Sequence, residues 1–273
     1  MSDRYCVIGN PIAHSKSPVI HAAFAIQTGQ QLTYQRELAP LDGFDAHVQG
    51  LIAAGFRGAN VTVPFKLDAA RIATRLSARA QAAGAVNTLS FVDGAIVGDN
   101  TDGPGLVADI VRNVGIDLTG RRVLLLGAGG AARGVVLPLL EAGAASIVVA
   151  NRTRATADTL VAAFAAGLAK TRVTACDYAD VDAAFDVIVN ATSASLSGAL
   201  PPVPPSAFAA HTLALDMMYA AQPTPFMALA ASHGAKVRDG LGMLVEQAAE
   251  AFALWRGVRP DTAAILQRLR NPA

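Results

Sequence analysis

No sign of charge dominates this chain. Its 22 Lys and Arg stand against 21 Asp and Glu, a net charge of +1. A nucleic-acid partner and an anionic membrane surface both call for a basic footprint, and neither is expected here. Cysteine is nearly absent: Cys6 and Cys176 lie far apart, each flanked by strand-like residues. That excludes a disulfide framework and reads as buried free thiols in a reducing compartment. The five histidines, His14, His21, His47, His211 and His233, are scattered. Without a pair at ligand spacing no metal is expected. No apolar run is long enough for a bilayer span, and MSDRYCVIGN leads straight into a strand rather than a signal peptide. The expected location is the cytoplasm. Internal repeats and low-complexity linkers are also missing. Aromatics are few, 5% of residues, in a chain that is 52% hydrophobic and rich in alanine. Its 273 residues suffice for two ordinary domains.

What is present is organised around residues 121–154, RRVLLLGAGGAARGVVLPLLEAGAASIVVANRTR. Val123 to Leu126 is a short apolar strand, followed by Gly127-Ala128-Gly129-Gly130-Ala131-Ala132 in G-x-G-x-x-A spacing. An apolar helix to about Ala142 and a second strand, Ile147 to Ala150, complete a βαβ unit with its glycines at the strand-to-helix turn. This is the context that a dinucleotide site requires. Gly127 permits the tight turn, Gly129 lets a pyrophosphate approach the backbone, and Ala132 allows close helix–strand packing. The helix start offers unpaired N–H groups to the phosphates. At the end of the second strand an NAD enzyme usually carries an acid for the ribose 2′-hydroxyl. Here stand Asn151, Arg152, Thr153 and Arg154. Guanidinium groups suit a 2′-phosphate, which favours NADP over the alternative of a solvated helix start.

Ahead of this unit, residues 5–9 read as a strand, and Ser17-Pro18 reads as the N-cap and first position of a helix to about Gly29. Capping accounts for Ser17 but not for Ser15. Both hydroxyls lie where open α/β sheets bind ligands, so a polyol or carboxylate site and a plain capped turn stay open. Leu32 to Leu38 is a strand, Leu41 to Ala54 a helix. Asn60 and Thr62 then interrupt an otherwise apolar strand near its C-terminal end, on one face. Pro64 is expected to open a helix that runs to about Ala83, with Lys66 in its first turn, where a cation opposes the helix dipole. That misplacement favours a site. Asp93-Gly94 between two strand-like runs signals a hairpin. Asp102, taken alone, reads best as a cap or turn residue.

The nucleotide-binding half spans roughly 105–240. It continues with a helix near Ala155 to Ala166, strands at Arg172–Cys176 and Val187–Asn190, and polar residues Asn190, Thr192 and Ser193 at the edge of the latter. Pro201 to Pro205 is a loop, and Leu213 to Tyr219 a further strand whose side chains could face a nicotinamide. In GLGMLVEQAAEAFALW, Leu241, Leu244, Val245, Ala248, Phe252 and Trp255 form one helical face with Glu246 and Glu250 opposite. Gln247, at the flank, is open to a ligand-binding or a boundary role.

Together these segments resemble the shikimate dehydrogenase family over nearly the whole chain. The motifs are GNPIAHSKSP from Gly9, NVTVPFK from Asn60, GAVNTL from Gly84, GDNTDG from Gly98, GAGGAAR from Gly127, NRT from Asn151, NATS from Asn190, DMMY from Asp216 and DGLGMLVEQA from Asp239. The family reduces 3-dehydroshikimate to shikimate with NADPH on the route to chorismate and the aromatic amino acids. The resemblance implies an α/β chain of two domains with a cleft between them. An N-terminal substrate domain would comprise 1–103 plus 241–273, and a Rossmann-like NADP-binding domain 104–240. It implies Lys66 and Asp102 as catalytic pair and shikimate contacts from Ser15, Ser17, Asn60, Thr62, Asn87, Tyr219 and Gln247. NADP contacts are implied at Gly127, Ala128, Gly129, Gly130, Ala131, Asn151, Arg152, Thr153, Arg154, Thr192, Met217 and Gly240. One position departs from the family pattern: Ala78-Arg79 stands where many members carry an acid. The expected partners are the small-molecule substrate and, as assembly, a homodimer. Rivals are a quinate/shikimate dehydrogenase of broader substrate and cofactor use, and a non-catalytic NADP-binding regulator.

Overall fold

The apolar runs of the sequence become two six-stranded sheets, one in each of two compact units: Met1–Leu106 with Leu244–Ala273, and Val107–Met243. The structure is a computed structural model. It describes residues 2–164, 172–192, 194 and 198–271.

In the first unit β1 (Asp3–Gly9), α1 (Ser17–Thr28), β2 (Leu32–Leu38), α2 (Phe44–Ala53) and β3 (Phe56–Val61) form a βαβαβ run. β1 sits between β2 and β3, parallel to both. Then follow α3 (Lys66–Ile72), β4 (Arg75–Leu76), α4 (Ala78–Ala83), β5 (Thr88–Val92) and β6 (Ala95–Asp99). β5 runs antiparallel to β3 and to β6, so the sheet is mixed, in the order β2-β1-β3-β5-β6-β4. Asp93 and Gly94 both take positive φ, 50° and 74°, and close the β5–β6 hairpin as an Asp-Gly pair does best. Strand alternation sorts β1 into two faces. Cys6 and Ile8 join Phe44, Val48 and Phe65 in one core cluster. On the other face Tyr5 stacks on Trp255, ring centroids 4.6 Å apart.

The chain continues through α5 (Asp102–Ala108), a π-helical turn over Asp109–Val114, β7 (Arg122–Leu126), α6 (Gly130–Glu141), β8 (Ser146–Ala150), α7 (Arg154–Ala163), β9 (Val173–Cys176), β10 (Val187–Asn190), β11 (Leu213–Asp216), α8 (Pro225–Ser232) and β12 (Lys236–Arg238). The second sheet is wholly parallel, in the order β12-β11-β10-β7-β8-β9. Strand order reverses between β7 and β10, and ligands of open α/β sheets bind at the carboxyl ends of such a pair. Helices α9 (Leu241–Arg256) and α10 (Ala263–Arg270) complete the chain.

Several expectations change. The single helix expected over residues 66–83 is α3, β4 and α4. Arg75 and Leu76 pair with Val97 and Gly98 of β6, and the Ser77 hydroxyl caps a new helix by accepting the Ala80 N–H. Pro64 precedes α3 by two residues, because Phe65 is the cap. Ser17 is the first helical residue rather than the N-cap, which is Lys16. The Ser15 hydroxyl accepts the Ser17 N–H at 3.3 Å, doing from two residues upstream what a capping Ser17 would have done for its neighbours. Glu246 is not on an exposed face: it is 1% exposed, bonded to Arg259 at 2.9 Å and Thr262 at 2.6 Å. Cys6 is buried and Cys176 half-buried, both free thiols. β11 stops at Asp216, whose carboxylate accepts the Met218 N–H at 3.0 Å and turns the chain. Ser193 and the last residues of the helix expected to Ala166 lie outside the described residues.

Candidate active site

The polar residues that broke the strand pattern gather at one place in the first unit. Lys66 opens α3, and its Nζ donates to Asp102 Oδ2 at 2.5 Å, with 16% and 8% of the two side chains exposed. Asp102 opens α5. Its backbone N–H is accepted by Asn100 Oδ1 at 3.1 Å, so Asn100 does the capping and the Asp102 carboxylate is free for other partners. Its second oxygen accepts Asn87 Nδ2 at 2.9 Å. Asn87 is held firmly: Oδ1 accepts the Thr101 N–H at 2.7 Å and the hydroxyls of Thr88 and Thr101 at 2.9 and 3.1 Å. Gln247 of α9 brings Oε1 within 3.3 Å of Asn87 Nδ2, while its own amide donates to the Leu244 carbonyl at 2.8 Å. Asn60, at the end of β3, donates to the Thr88 hydroxyl at 3.0 Å and accepts from the Tyr34 hydroxyl at 2.7 Å. A hydrogen-bonded set thus joins Lys66, Asp102, Asn87, Gln247 and Asn60.

Ser15, Ser17 and Thr62 lie on the adjoining loops. Ser15 accepts the Arg36 guanidinium on its carbonyl at 2.6 and 3.0 Å, which steadies the loop after β1. Ser17 is buried at the start of α1. Thr62 donates its N–H to the Ile8 carbonyl at 2.9 Å, and its hydroxyl makes no hydrogen bond among the described residues. Arg79, at the departing position, binds Asp99 at 2.7 Å and Glu250 at 3.1 Å, an ion-pair network in place of a lone acid. Tyr34, Thr88 and Thr101 were missed by sequence reasoning. Thr88 and Thr101 carried a usable signal, as polar residues at apolar strand and loop positions. Tyr34 carried none, since a tyrosine suits any half-buried strand.

An ammonium paired with a carboxylate, mostly shielded from water and braced by two amides, can give a proton to an oxygen placed beside it and take it back. Among the described residues no group of His, Cys, Asp and Glu is arranged to hold a metal ion.

The second unit builds a different site at the β7–β10 edge. Gly127 has φ +99°, a conformation that L side chains rarely adopt, and an added Cβ would stand 3.1 Å from Thr192 Cγ2. Gly129 has nothing within 4 Å of where a Cβ would be, so its backbone faces open space. Gly129 caps the twelve-residue α6 without a side-chain bond, which leaves the first N–H groups for an outside anion. Ala128 and Ala132 are buried beneath the turn, and Gly130 and Ala131 are half-buried in the first turn of α6. The Thr192 hydroxyl donates to Asn190 Oδ1 at 2.7 Å. After β8, Asn151 donates to the Thr153 carbonyl at 2.9 Å. Arg152 is exposed and makes no ion pair among the described residues, whereas Arg154 binds Asp158 at 2.9 Å and lies 3.9 Å from Asp177. Met217 and Tyr219 are half-buried in the turn after β11, where the Met217 N–H reaches the Asn190 carbonyl at 3.0 Å. Gly240 lies directly against the Met217 backbone, leaving no room for a Cβ. An open glycine cradle, a helix start without a side-chain cap and the exposed Arg152 guanidinium after β8 fit a dinucleotide that carries a 2′-phosphate.

Three family models match the chain: "Shikimate dehydrogenase substrate binding domain" over residues 7–89, "Shikimate / quinate 5-dehydrogenase" over 109–197 and "Shikimate 5'-dehydrogenase C-terminal domain" over 240–270. A Herminiimonas arsenicoxydans protein named shikimate dehydrogenase (NADP(+)) is 61% identical over 270 residues, 99% of this chain and 98% of that one. Among solved structures, an Ael1 enzyme from Pseudomonas putida superposes with a TM-score of 0.92 at 50% identity, covering 99% of both chains. The shikimate 5-dehydrogenase of Thermus thermophilus, in complex with NADP(H) and shikimate, superposes with a TM-score of 0.87 at 35% identity, covering 98% of both.

Proposed function

The chain belongs to the shikimate dehydrogenase family, and from that premise we propose how its residues divide the work. It is an NADP-dependent oxidoreductase that reversibly reduces 3-dehydroshikimate to shikimate, a step in chorismate and aromatic amino acid biosynthesis. Bound NADPH supplies the hydride that the carbonyl carbon takes up.

The carbonyl oxygen then needs a proton. Lys66 donates it from Nζ, and recovers it when shikimate is oxidised. Asp102 accepts a hydrogen bond from Lys66 and holds the ammonium in place. An ammonium beside the developing alkoxide stabilises the charge that forms in the transition state, in surroundings shielded enough for the interaction to be strong. Asn87 fixes Asp102 from the other side. We assign the substrate carboxylate to the hydroxyls of Ser15 and Ser17. The ring hydroxyls fall to Asn60, Thr62, Asn87, Asp102, Tyr219 and Gln247. The pyrophosphate falls to the backbone of Gly127 to Ala131 at the α6 start, and the 2′-phosphate to Asn151, Arg152, Thr153 and Arg154. Thr192, Met217 and Gly240 serve the nicotinamide half. We take residues 1–103 with 241–273 as the substrate domain and 104–240 as the cofactor domain, bounds that differ by three residues from the two compact units.

The observation that carries this reading is the shielded Lys66–Asp102 pair, in which a cation sits in the first helical turn against the helix dipole. Lys66→Ala tests it. With substrate binding spread over other residues, kcat falls by about a thousandfold or more while the KM for shikimate changes by no more than about tenfold. A normal kcat with a large rise in KM would remove Lys66 from proton transfer. On the family reading we also propose a cytoplasmic homodimer. No helix among the described residues is long and apolar enough to cross a membrane, and a monomer mass by light scattering would overturn the dimer.

A further inference from the structure

We propose that Tyr34 and Thr88 are positioning residues, which clamp the Asn60 amide from both ends so that it recognises a substrate hydroxyl as a hydrogen-bond acceptor. The inference rests on the substrate-binding role given to Asn60 above.

The polarity of the clamp follows from groups that can act in only one way. Asn60 Nδ2 lies 3.3 Å from the Asn87 carbonyl, which can only accept. The NH2 end of the amide therefore faces Asn87 and Thr88, and its oxygen faces Tyr34. The Tyr34 hydroxyl must then donate, across 2.7 Å, to Asn60 Oδ1. Burial pushes the tyrosine pKa well above its usual value, so this donor keeps its proton at any working pH. The Thr88 hydroxyl accepts from Asn60 at 3.0 Å and donates a hydrogen bond to Asn87 Oδ1 at 2.9 Å. That oxygen is pinned independently by the Thr101 backbone N–H, a group that can only donate, at 2.7 Å. Asn87 Nδ2 is left to donate to Asp102. From Tyr34 to Asp102 every bond thus points the same way, and the chain ends on the carboxylate that holds Lys66.

Asn60 is buried, 5% exposed, with both amide hydrogens engaged and one oxygen lone pair taken by Tyr34. What remains is the second lone pair of Oδ1, an acceptor for one hydroxyl. The Tyr34 ring is itself held. His21 stacks on it at 4.1 Å with planes 4° apart. Without the clamp the amide can rotate and offer NH2 where the substrate presents O–H.

The test is steady-state kinetics of shikimate oxidation with NADP⁺ for Tyr34→Phe, Thr88→Val, Thr88→Ser and the Phe/Val double variant, beside their thermal unfolding midpoints. Phe keeps the stacked ring and Val keeps the volume of Thr, so both remove little but the hydroxyl. Each single change raises the KM for shikimate by about tenfold while the KM for NADP⁺ stays within about twofold, and Thr88→Ser restores the wild-type KM. Because both hydroxyls hold one amide, the double variant is no worse than about the larger single effect, a coupling that independent sites would not show. Unchanged KM for shikimate in both single variants overturns the proposal. So does a loss that follows thermal stability, affects both substrates alike or is not rescued by Ser. A wild-type protein that does not oxidise shikimate removes the functional reading and this inference with it, whereas an active wild type with indifferent variants removes the inference alone.

Discussion

Protonating one buried ring should weaken the first unit in acid, and its size can be worked out. His21 is fully buried, stacked on Tyr34 and 5.6 Å from the Trp255 ring. Neither ring nitrogen has a hydrogen-bond partner among the described residues. Burial pushes its pKa from 6.5 down to about 3, against the opposing pull of the Asn60 side chain. Between those values the unfolded chain binds a proton that the native protein refuses. The contribution of the neutral ring is therefore whole above pH 6.5 and is lost progressively as pH falls toward 3. Each pH unit in that window costs about 1.4 kcal/mol, so the loss at about pH 5 is about 2 kcal/mol. Trp255, the single tryptophan of the chain, reports on the same unit by fluorescence. Urea unfolding would be followed at about pH 7.5 and about pH 5 for the wild type and for His21→Phe, which keeps a ring against Tyr34. The variant should lose about 2 kcal/mol less than the wild type between the two conditions. Equal losses would refute the reasoning, because every other titrating group is common to both proteins.

Two further expectations concern the cofactor unit. Gly129→Val places its side chain in open space at an extended backbone, φ −79° and ψ −172°, so thermal stability should hold. The same side chain blocks the approach of a pyrophosphate, and the KM for NADP⁺ should rise by more than about tenfold; a wild-type KM would move the pyrophosphate elsewhere. Arg152→Ala should raise the KM for NADP⁺ by about tenfold or more and leave that for NAD⁺ nearly unchanged, since only the former carries the 2′-phosphate. Arg154→Ala should do less, because its guanidinium is already shared with Asp158 and Asp177. A larger effect at Arg154 in kinetics with both cofactors would invert the assignment.

Much of the fold was legible because its signals are local. Apolar runs alternating with helical segments around a glycine turn leave little choice but a parallel βαβ unit, and β7, α6 and β8 stand where that pattern put them. β2 matches its expected span, Leu32–Leu38, and the Asp93-Gly94 hairpin closes as its turn chemistry demands. Asn60 and Lys66 were conspicuous because each violates a local rule, one for buried parallel strands and one for helix dipoles. What escaped was decided by partners distant in sequence. β4 is two residues long and exists only because β6 lies beside it. Glu246 looked like solvated helix surface until Arg259 and Thr262, thirteen and sixteen residues on, covered it. Asp102 could not be told from a cap until Asn100 was seen to cap it instead. Tyr34 meets Asn60 across the width of β1, a neighbour relation that no spacing in the sequence records.

The most direct measurement gives the purified protein shikimate or quinate, each with NADP⁺ or NAD⁺, and follows reduced nicotinamide by absorbance. Strong turnover confined to shikimate with NADP⁺ is the expected result. Comparable turnover of quinate, preference for NAD⁺, or NADP⁺ binding with no turnover of either acid would contradict the account.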